Sequence, residues 1–108
     1  MVPRPLTEPA FFVLAALADQ PRHGYGVIGE VAELSGGRVS LRVGTLYGVL
    51  DRLVAEERVE PDHEEVVAGR VRRYYRITGA GRQVLADEVA RQEANARAGR
   101  ARLAVRPA

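Results

Sequence analysis

The 108-residue sequence contains no cysteine, no tryptophan and no long apolar run. The lack of cysteine excludes disulfide bonds, thiolate metal sites and cysteine nucleophiles, and it is consistent with a reducing compartment. The longest apolar stretch, AFFVLAALA at residues 10–18, is too short to cross a bilayer, and the N-terminus does not resemble a signal peptide. The sequence therefore predicts a soluble, cytoplasmic protein whose length favours one domain with one modest core.

Lysine is absent as well, so all sixteen basic residues are arginine. The planar guanidinium group favours bidentate contacts with phosphates or carboxylates. Together with the many Ala, Gly and Val residues, this usage indicates a GC-rich, bacterial coding sequence. The charge is unevenly distributed: residues 1–69 carry six arginines and eleven acids, whereas residues 70–108 carry ten arginines and three acids. This asymmetry predicts an anionic partner for the second part, unless the two parts neutralise each other.

Two helices are expected in the first third of the chain. Thr7 can cap a helix over residues 8–19, because its hydroxyl accepts an otherwise unpaired backbone N–H. This helix is apolar on almost every side, which predicts a central position or a dimer contact. A second helix over residues 24–34 ends at an SGG sequence, since glycine readily adopts the left-handed conformation that follows a helix. The residues expected on its apolar face are Tyr25, Ile28, Val31 and Ala32.

Ser40 is the expected N-cap of a third helix. The apolar residues of this segment recur at helical spacing and predict one buried stripe, formed by Val43, Leu46, Leu50, Leu53 and Val54. The opposite face is small because it contains Gly44 and Gly48. Glycine destabilises a helix interior by about 1 kcal/mol relative to alanine, so packing of the apolar stripe must hold this helix together.

The rest of the chain predicts a β-hairpin followed by a fourth helix. The strands are expected at residues 58–65 and 69–78, and Pro61 restricts the first of them to a sheet edge or a bulge. Thr78 caps the fourth helix, which runs to at least Ala98 and has a thin apolar face. Three helices, a hairpin and a further helix, with a short glycine-containing turn after the second helix, define a mainly α (α+β) winged helix-turn-helix fold.

Three stretches resemble the PadR family of bacterial transcriptional regulators: HGYGVIGEV at residues 23–31, VSLRVGTLYGVLDRL at 39–53 and GRVRRYYRITGAGR at 69–82. Their order and spacing match the family over residues 6–90, and the short C-terminus resembles its compact subfamily with a single C-terminal helix. Two positions depart from the family pattern. Gly48 stands where the family usually has proline, and Glu57 stands where it usually has glycine.

The resemblance implies a homodimeric repressor of a palindromic operator, with a DNA-binding domain at residues 1–78 and a dimerisation helix and tail at residues 79–108. In the family, the third helix enters the major groove and the wing touches the DNA backbone or minor groove. Hydroxyl groups and a helix N-terminus suit phosphates, and arginine suits phosphates and guanine edges. The expected DNA-binding residues are Tyr25, Ser40, Arg42, Gly44, Thr45, Tyr47, Arg70, Arg72 and Arg73.

The wing arginines have a competing role. Acids on the first strand can pair with them across the hairpin; these acids are Glu60, Asp62, Glu64 and Glu65. The pairing depends on the strand register, which the sequence leaves open. Arg70 and Arg72, nearest the tip, are favoured for DNA, and Arg76 is favoured for a structural ion pair.

The resemblance also implies that the fourth helix pairs with the first helix of a second copy. The expected interface residues are Phe11, Leu14, Leu85, Val89, Gln92 and Ala96. Relatives respond to small apolar or aromatic effectors, so such an effector is a candidate ligand, although its binding residues do not follow from the sequence.

No catalytic, cofactor or metal site is expected. The only two histidines, His23 and His63, are forty residues apart and lack cysteine partners, so they make a poor metal site. No nucleophile stands in a recognisable catalytic arrangement. Two other functions remain open: a winged helix that binds an acidic protein through its wing arginines, and an architectural DNA-binding protein without a ligand.

Overall fold

The structure, a computed structural model, describes residues 4–107 as four helices and a three-stranded sheet. The helices are α1 (Glu8–Leu17), α2 (Gly24–Leu34), α3 (Val43–Ala55) and α4 (Gly79–Leu103), and the strands are β1 (Arg22–His23), β2 (Val59–Val67) and β3 (Arg70–Ile77). The antiparallel sheet has the order β1-β3-β2, in which β2 and β3 form the wing. The mainly α winged helix-turn-helix fold is confirmed. No helix within residues 4–107 is long and apolar enough to cross a membrane.

A single hydrophobic core lies between the first three helices and the base of the sheet. α1 is central to it, as its apolar sequence predicts, because helices and sheet cover it on several sides. The largest fully buried side chains are Val13, Leu14, Leu17, Val27, Val31, Leu46, Leu50, Leu53 and Val59. Tyr75 and Ile77 of β3 complete the core, so the wing is attached to the helices through its second strand.

The start of α3 lies further along the chain than predicted. Val39 and Leu41 are buried, so the chain stays extended there, with alternate side chains turned inward and Ser40 exposed. The helix begins at Val43 with Arg42 as its N-cap residue, and no side chain caps its first N–H groups. The prediction of Ser40 as the cap is therefore wrong, and Val43 is 43% exposed rather than buried.

The buried face of α2 also differs from the prediction. Gly24, Val27 and Val31 face the core, whereas Tyr25 is 73% exposed. Close packing at the first residue of the helix explains the difference: a Cβ atom on Gly24 would lie 2.7 Å from the Tyr47 hydroxyl oxygen of α3. α2 therefore presents its glycine to α3 and its tyrosine to solvent.

A two-residue turn, Ala68–Gly69, joins the wing strands. Both residues have positive φ, 51° and 76°, and such turns match the right-handed twist of a hairpin. The register places Val67 opposite Arg70 and Glu65 opposite Arg72. Because residues two apart on a strand point to the same face of the sheet, both arginines lie on one face of the wing, together with Val67 and Glu65.

β2 is irregular near the base of the wing. The register shifts between Pro61 and Glu64, so that two residues of β2 face the single residue Tyr74 on β3. β2 is also an outer strand of the sheet. Both features fit the lack of an N–H group in proline, and the prediction that Pro61 lies at an edge or a bulge is confirmed.

β1 was not predicted. It pairs with the side of β3 that faces away from β2, with Arg22 opposite Tyr75 and His23 opposite Tyr74. His23 also begins α2, because its Nδ1 atom accepts a hydrogen bond from the Gly26 N–H at 3.3 Å. The wing and α2 are therefore joined through one residue.

The link from α3 to β2 contains a residue with left-handed backbone. Glu57 has φ of 60°, at the position where PadR-like sequences usually have glycine. Left-handed backbone is unfavourable for a non-glycine residue by roughly 1–2 kcal/mol. The Thr78 hydroxyl donates a hydrogen bond to the Glu57 carbonyl oxygen at 2.7 Å, which helps to hold this conformation.

α4 is anchored at its start and exposed at its end. Thr78 caps it as predicted, with its side-chain oxygen accepting the Gly81 N–H at 2.9 Å. A Cβ atom on Gly81 would overlap the Arg58 carbonyl oxygen, so the first turn packs directly on the backbone that leads into β2. The helix continues beyond Gly99, and every residue from 89 to 107 is exposed.

Candidate nucleic-acid interface

The first half of α3 presents a shallow, accessible surface. Arg42, Gly44, Thr45 and Tyr47 are exposed, as is Ser40 just before the helix. Nothing lies within 4 Å of the position that a Cβ atom would take on Gly44. Because no side chain caps α3, its first N–H groups and their partial positive charge can meet an anion directly.

Two tyrosines stand beside this surface. Tyr25 of α2 is 73% exposed and Tyr47 of α3 is 39% exposed. Both line the same small pocket between the two helices, whose floor is formed by Ile28, Val43 and Leu46. Phenolic hydroxyl groups can donate hydrogen bonds to phosphate oxygens. The helix-turn-helix thus brings the two predicted tyrosines together, although they are 22 positions apart in the sequence.

The wing arginines differ in their ion pairs. Arg76 Nε lies 2.8 Å from Glu60 Oε1, and Arg76 Nη1 lies 3.0 Å from Asp62 Oδ1. This geometry confirms the predicted structural ion pair of Arg76. Arg73 Nε lies 3.8 Å from Glu64 Oε1, which is a looser contact between two well-exposed side chains.

Arg70 and Arg72 make no ion pair with any acid in residues 4–107. The register places Glu65 opposite Arg72, but the Glu65 carboxylate accepts the Tyr74 hydroxyl at 3.0 Å and lies 3.3 Å from His63 Nε2. The acids of β2 therefore contact His63, Arg73, Tyr74 and Arg76 and do not pair with Arg70 or Arg72. The two arginines nearest the tip keep uncompensated charge.

Both histidines of the chain pack on Tyr74 at the base of the wing. The His63 ring stacks on Tyr74 with centroids 4.2 Å apart and planes 15° apart, and the His23 ring meets it edge-on at 5.3 Å. A hydrogen bond with Asp62 raises the pKa of His63, and that bond together with one from Arg76 lowers the pKa of Asp62.

This cluster is not predictable from the sequence, because the bulge that sets His63 over Tyr74 leaves no periodic signal. Within residues 4–107, no three His, Asp or Glu side chains are placed to hold a metal ion.

The residues expected at a dimer interface lie in different environments. Leu14 is completely buried inside the single chain, which corrects that expectation because its side chain has no surface to offer a second copy. Phe11 is half-buried on α1, and Leu85 is partly buried against the core. The exposed candidates share one face of α4 and are Val89, Gln92 and Ala96.

Glu88 of α4 is a buried acid that was not predicted from the sequence. Its Oε1 atom accepts the Leu6 N–H at 3.2 Å, and its carboxylate also accepts hydrogen bonds from the Arg91 guanidinium and from the Gln92 amide at 3.2 Å. These bonds, above all that from Arg91, hold the pKa of Glu88 below its ordinary value in spite of burial. A signal existed in the sequence, since Glu88 lies one helical turn after Leu85 on the packed side of α4.

Residues 13–87 match the profile of the transcriptional regulator PadR-like family. Transcriptional regulator Rv3488 of Mycobacterium tuberculosis is 41% identical over 76 residues, which cover 70% of this chain and 67% of that protein. A 37.1 kDa protein in transposon TN4556 of Streptomyces fradiae is 45% identical over 76 residues, which cover 70% of this chain. The matched segment spans 20% of that larger protein.

A solved structure shows the same fold bound to DNA. Bacillus subtilis PadR in complex with operator DNA superposes with a TM-score of 0.69 at 21% identity, covering 80% of this chain and 48% of that one. At this identity the likeness concerns the fold. The family match covers most of the chain and agrees with the three sequence motifs and with the winged helix-turn-helix fold. It also agrees with the 41% sequence identity to transcriptional regulator Rv3488. The chain therefore belongs to the PadR-like family of transcriptional regulators.

Proposed function

We propose that this regulator is a homodimeric repressor that binds a palindromic operator through α3 and the wing. The observation that carries the proposal is the unpaired charge of Arg70 and Arg72. The acids of β2 are engaged with Arg76, with His63 and Tyr74, and loosely with Arg73, so the tip has no internal counter-charge among residues 4–107. Exposed guanidinium groups at a hairpin tip suit a polyanion such as the DNA backbone.

The start of α3 supports the same proposal. Its uncapped N–H groups and the open space over Gly44 let a phosphate or a groove wall approach the backbone. The hydroxyl groups of Ser40, Thr45, Tyr47 and Tyr25 are suited to phosphate oxygens. Arg42, exposed at the N-cap, is suited to the edge of a guanine base.

Dimerisation would bring two such surfaces together. In this proposal residues 1–78 form the DNA-binding domain and residues 79–108 the dimerisation helix and tail, with the exposed face of α4 meeting Phe11 of a second copy. Two α3 helices about 34 Å apart would then read successive turns of one DNA face. A small apolar or aromatic effector that changed this spacing would release the DNA, and the protein would act in the cytoplasm by blocking polymerase.

The test uses the full chain and fluorescence anisotropy with a DNA fragment from its own promoter region and a scrambled fragment. Arg70→Gln combined with Arg72→Gln is compared with Arg97→Gln combined with Arg102→Gln, which removes the same charge from α4. The wing double variant should flatten the slope of log affinity against log salt by about 2, since each lost phosphate contact contributes about 0.9.

The α4 double variant should retain the wild-type slope and the preference for the promoter fragment. An equal loss of affinity in both double variants would show that only net charge matters. No preference for the promoter fragment over the scrambled one would contradict the repressor proposal.

Exposed valines at the wing tip favour a second candidate function. Val66 is 74% exposed and Val71 is 59% exposed, and the register places them opposite each other. The pair forms an apolar patch on the face of the wing that carries Arg73, opposite to the face of Arg70 and Arg72, and this patch would suit an acidic protein partner. This candidate predicts weak, sequence-independent DNA binding, as does an architectural DNA-binding protein. Only the architectural protein would keep a steep salt dependence.

A further inference from the structure

A groove lies between the N-terminal segment at residues 4–7 and α3. It encloses about 840 Å³, which is within the range of small-molecule sites. Its floor is the outer side of the core, formed by Leu6, Val49 and Leu53. None of the residues proposed for dimerisation lines it, and of those proposed for DNA only Thr45 does.

Three arginines line this groove: Arg4, Arg52 and Arg58. The single acid among the lining residues is Glu56, whose Oε1 atom is 3.9 Å from Arg58 Nη1. Arg4 and Arg52 make no ion pair within residues 4–107. The groove therefore combines an apolar floor with an excess of positive charge, which suits a ligand that has an anionic head and an apolar body.

The wall formed by the N-terminal segment is fixed by hydrogen bonds. The Leu6 N–H donates to the buried Glu88 carboxylate, and the Thr7 side chain accepts the Ala10 N–H at 3.2 Å. Arg4 is therefore attached to a segment held against α4 and α1.

Gly48 accounts for the open space of the groove. It lines the groove from the middle of α3, and no atom of residues 4–107 lies within 4 Å of the position that its Cβ atom would take. A side chain there would project into the groove. Glycine in a helix interior costs about 1 kcal/mol relative to alanine, so retaining the space has a structural cost.

A second copy of this chain is a poor occupant of the groove. Residues 91–106, the exposed end of α4 and the three residues after it, carry five arginines and one acid, so this segment of a second copy would be repelled by the arginines of the groove. DNA phosphates would match the arginines but would leave the apolar floor without a partner. Among residues 4–107, those that line the groove include no aromatic side chain, which favours an aliphatic body over a stacked ring.

We propose that this groove binds an aliphatic organic anion, with a carboxylate or phosphate head on Arg4, Arg52 and Arg58 and a hydrocarbon body on the floor. Binding at the groove does not depend on the proposed repressor function. An effect on DNA affinity does rest on that function, since the groove shares Thr45 and Gly48 with α3 and a ligand there would be coupled to the helix.

In the experiment, the full chain is titrated with octanoate in the absence of DNA. Calorimetry measures the heat of binding, and NMR measures the backbone amide chemical shifts. Octanol and inorganic phosphate are the matched probes for the body alone and the head alone. Octanoate should perturb the amides of Leu6, Val49 and Leu53 and bind at least about tenfold more tightly than either probe, because a charged hydrogen bond and apolar burial both contribute.

Three variants test the location. Gly48→Leu should weaken octanoate binding at least about tenfold by filling the groove. Gly29→Leu is the control, since Gly29 is an exposed glycine inside α2 with nothing within 4 Å of its Cβ position. It should bind octanoate as wild type does. Arg52→Gln should weaken octanoate and leave octanol unchanged. Circular dichroism confirms that each variant is folded.

Several results would overturn the proposal. One is the absence of octanoate binding, and another is equal binding of octanoate to wild type and Gly48→Leu. Equal affinity for octanol and octanoate would show that the arginines take no part. A change of oligomeric state in Gly48→Leu without octanoate binding would make a second copy the occupant. A reduced DNA salt slope in Arg52→Gln without octanoate binding would make DNA the occupant.

Discussion

Residues 79–88 of α4 and residues 89–103 of the same helix have different surroundings. The first segment packs on its own domain, where Gly81 lies against backbone and Glu88 is buried. Arg82 donates a hydrogen bond of 2.6 Å to the carbonyl oxygen of Ala18, the residue that follows α1. The second segment is exposed at every residue. The first segment therefore packs against the core of the domain. In the single chain, the second segment is supported only by local helix propensity.

The sharpest test of this contrast is Gly81→Ala. The new methyl group would overlap the Arg58 carbonyl oxygen, so α4 or the start of β2 must move. We expect a loss of about 3 kcal/mol in the free energy of unfolding, at the upper end of overpacking effects. Urea denaturation followed by circular dichroism measures it. A loss below about 1 kcal/mol would mean that the first turn of α4 is loosely packed.

Glu88→Gln tests the buried acid at the end of the packed segment. The variant removes the charge that pairs with Arg91, so we expect a loss of about 1–3 kcal/mol at neutral pH. Glu93→Gln, an exposed acid on the same helix, is the matched control and should change stability by less than about 0.5 kcal/mol.

The difference in the free energy of unfolding between wild type and Glu88→Gln should shrink as the pH falls. Folding lowers the pKa of Glu88, so its stabilisation is complete above the ordinary carboxyl pKa of about 4.3 and is lost as the pH falls through the lowered value. Wild type should therefore approach the variant in stability on acidification. A constant difference in the free energy of unfolding across this range would refute the role given to the ionised carboxylate.

Gly99→Ala makes the same chemical change as Gly81→Ala in the exposed segment and should have the opposite sign. Nothing lies within 4 Å of the Cβ position at Gly99, so alanine should stabilise the helix by up to about 1 kcal/mol. Thermal unfolding at two protein concentrations measures this small effect. If alanine destabilises the protein instead, the exposed segment is closely packed against another surface, such as a second copy.

The sequence predicts those elements that have strong local signals. The bounds of α2, the Thr78 cap and the edge position of Pro61 follow from glycine, hydroxyl and proline chemistry, and the structure agrees. β1 could not be predicted because two residues are too few to show alternation. The α3 start was misplaced because burial of Leu41 keeps the chain extended past Ser40.

In the candidate site too, properties with a local sequence signal were predictable and those that depend on strand register were not. Exposure of Tyr47, Arg70 and Arg72 agrees with sequence patterning, but their ion pairs depend on register. The turn that sets this register uses Ala68 with positive φ, a conformation that alanine rarely adopts, so residue type gives no warning of it. The burial of Glu88 likewise depends on a long-range contact with Leu6.

The two-residue strand β1 has a mechanical consequence. His23 is paired with β3 through its backbone and supports the first turn of α2 through its ring. A ligand that tilts the wing must therefore also strain or release the start of α2, one of the two helices that hold Tyr25 and Tyr47. In the proposed DNA complex, the wing and the helix-turn-helix would therefore adapt to a curved or widened DNA groove together, and distortion of either would change the affinity of both.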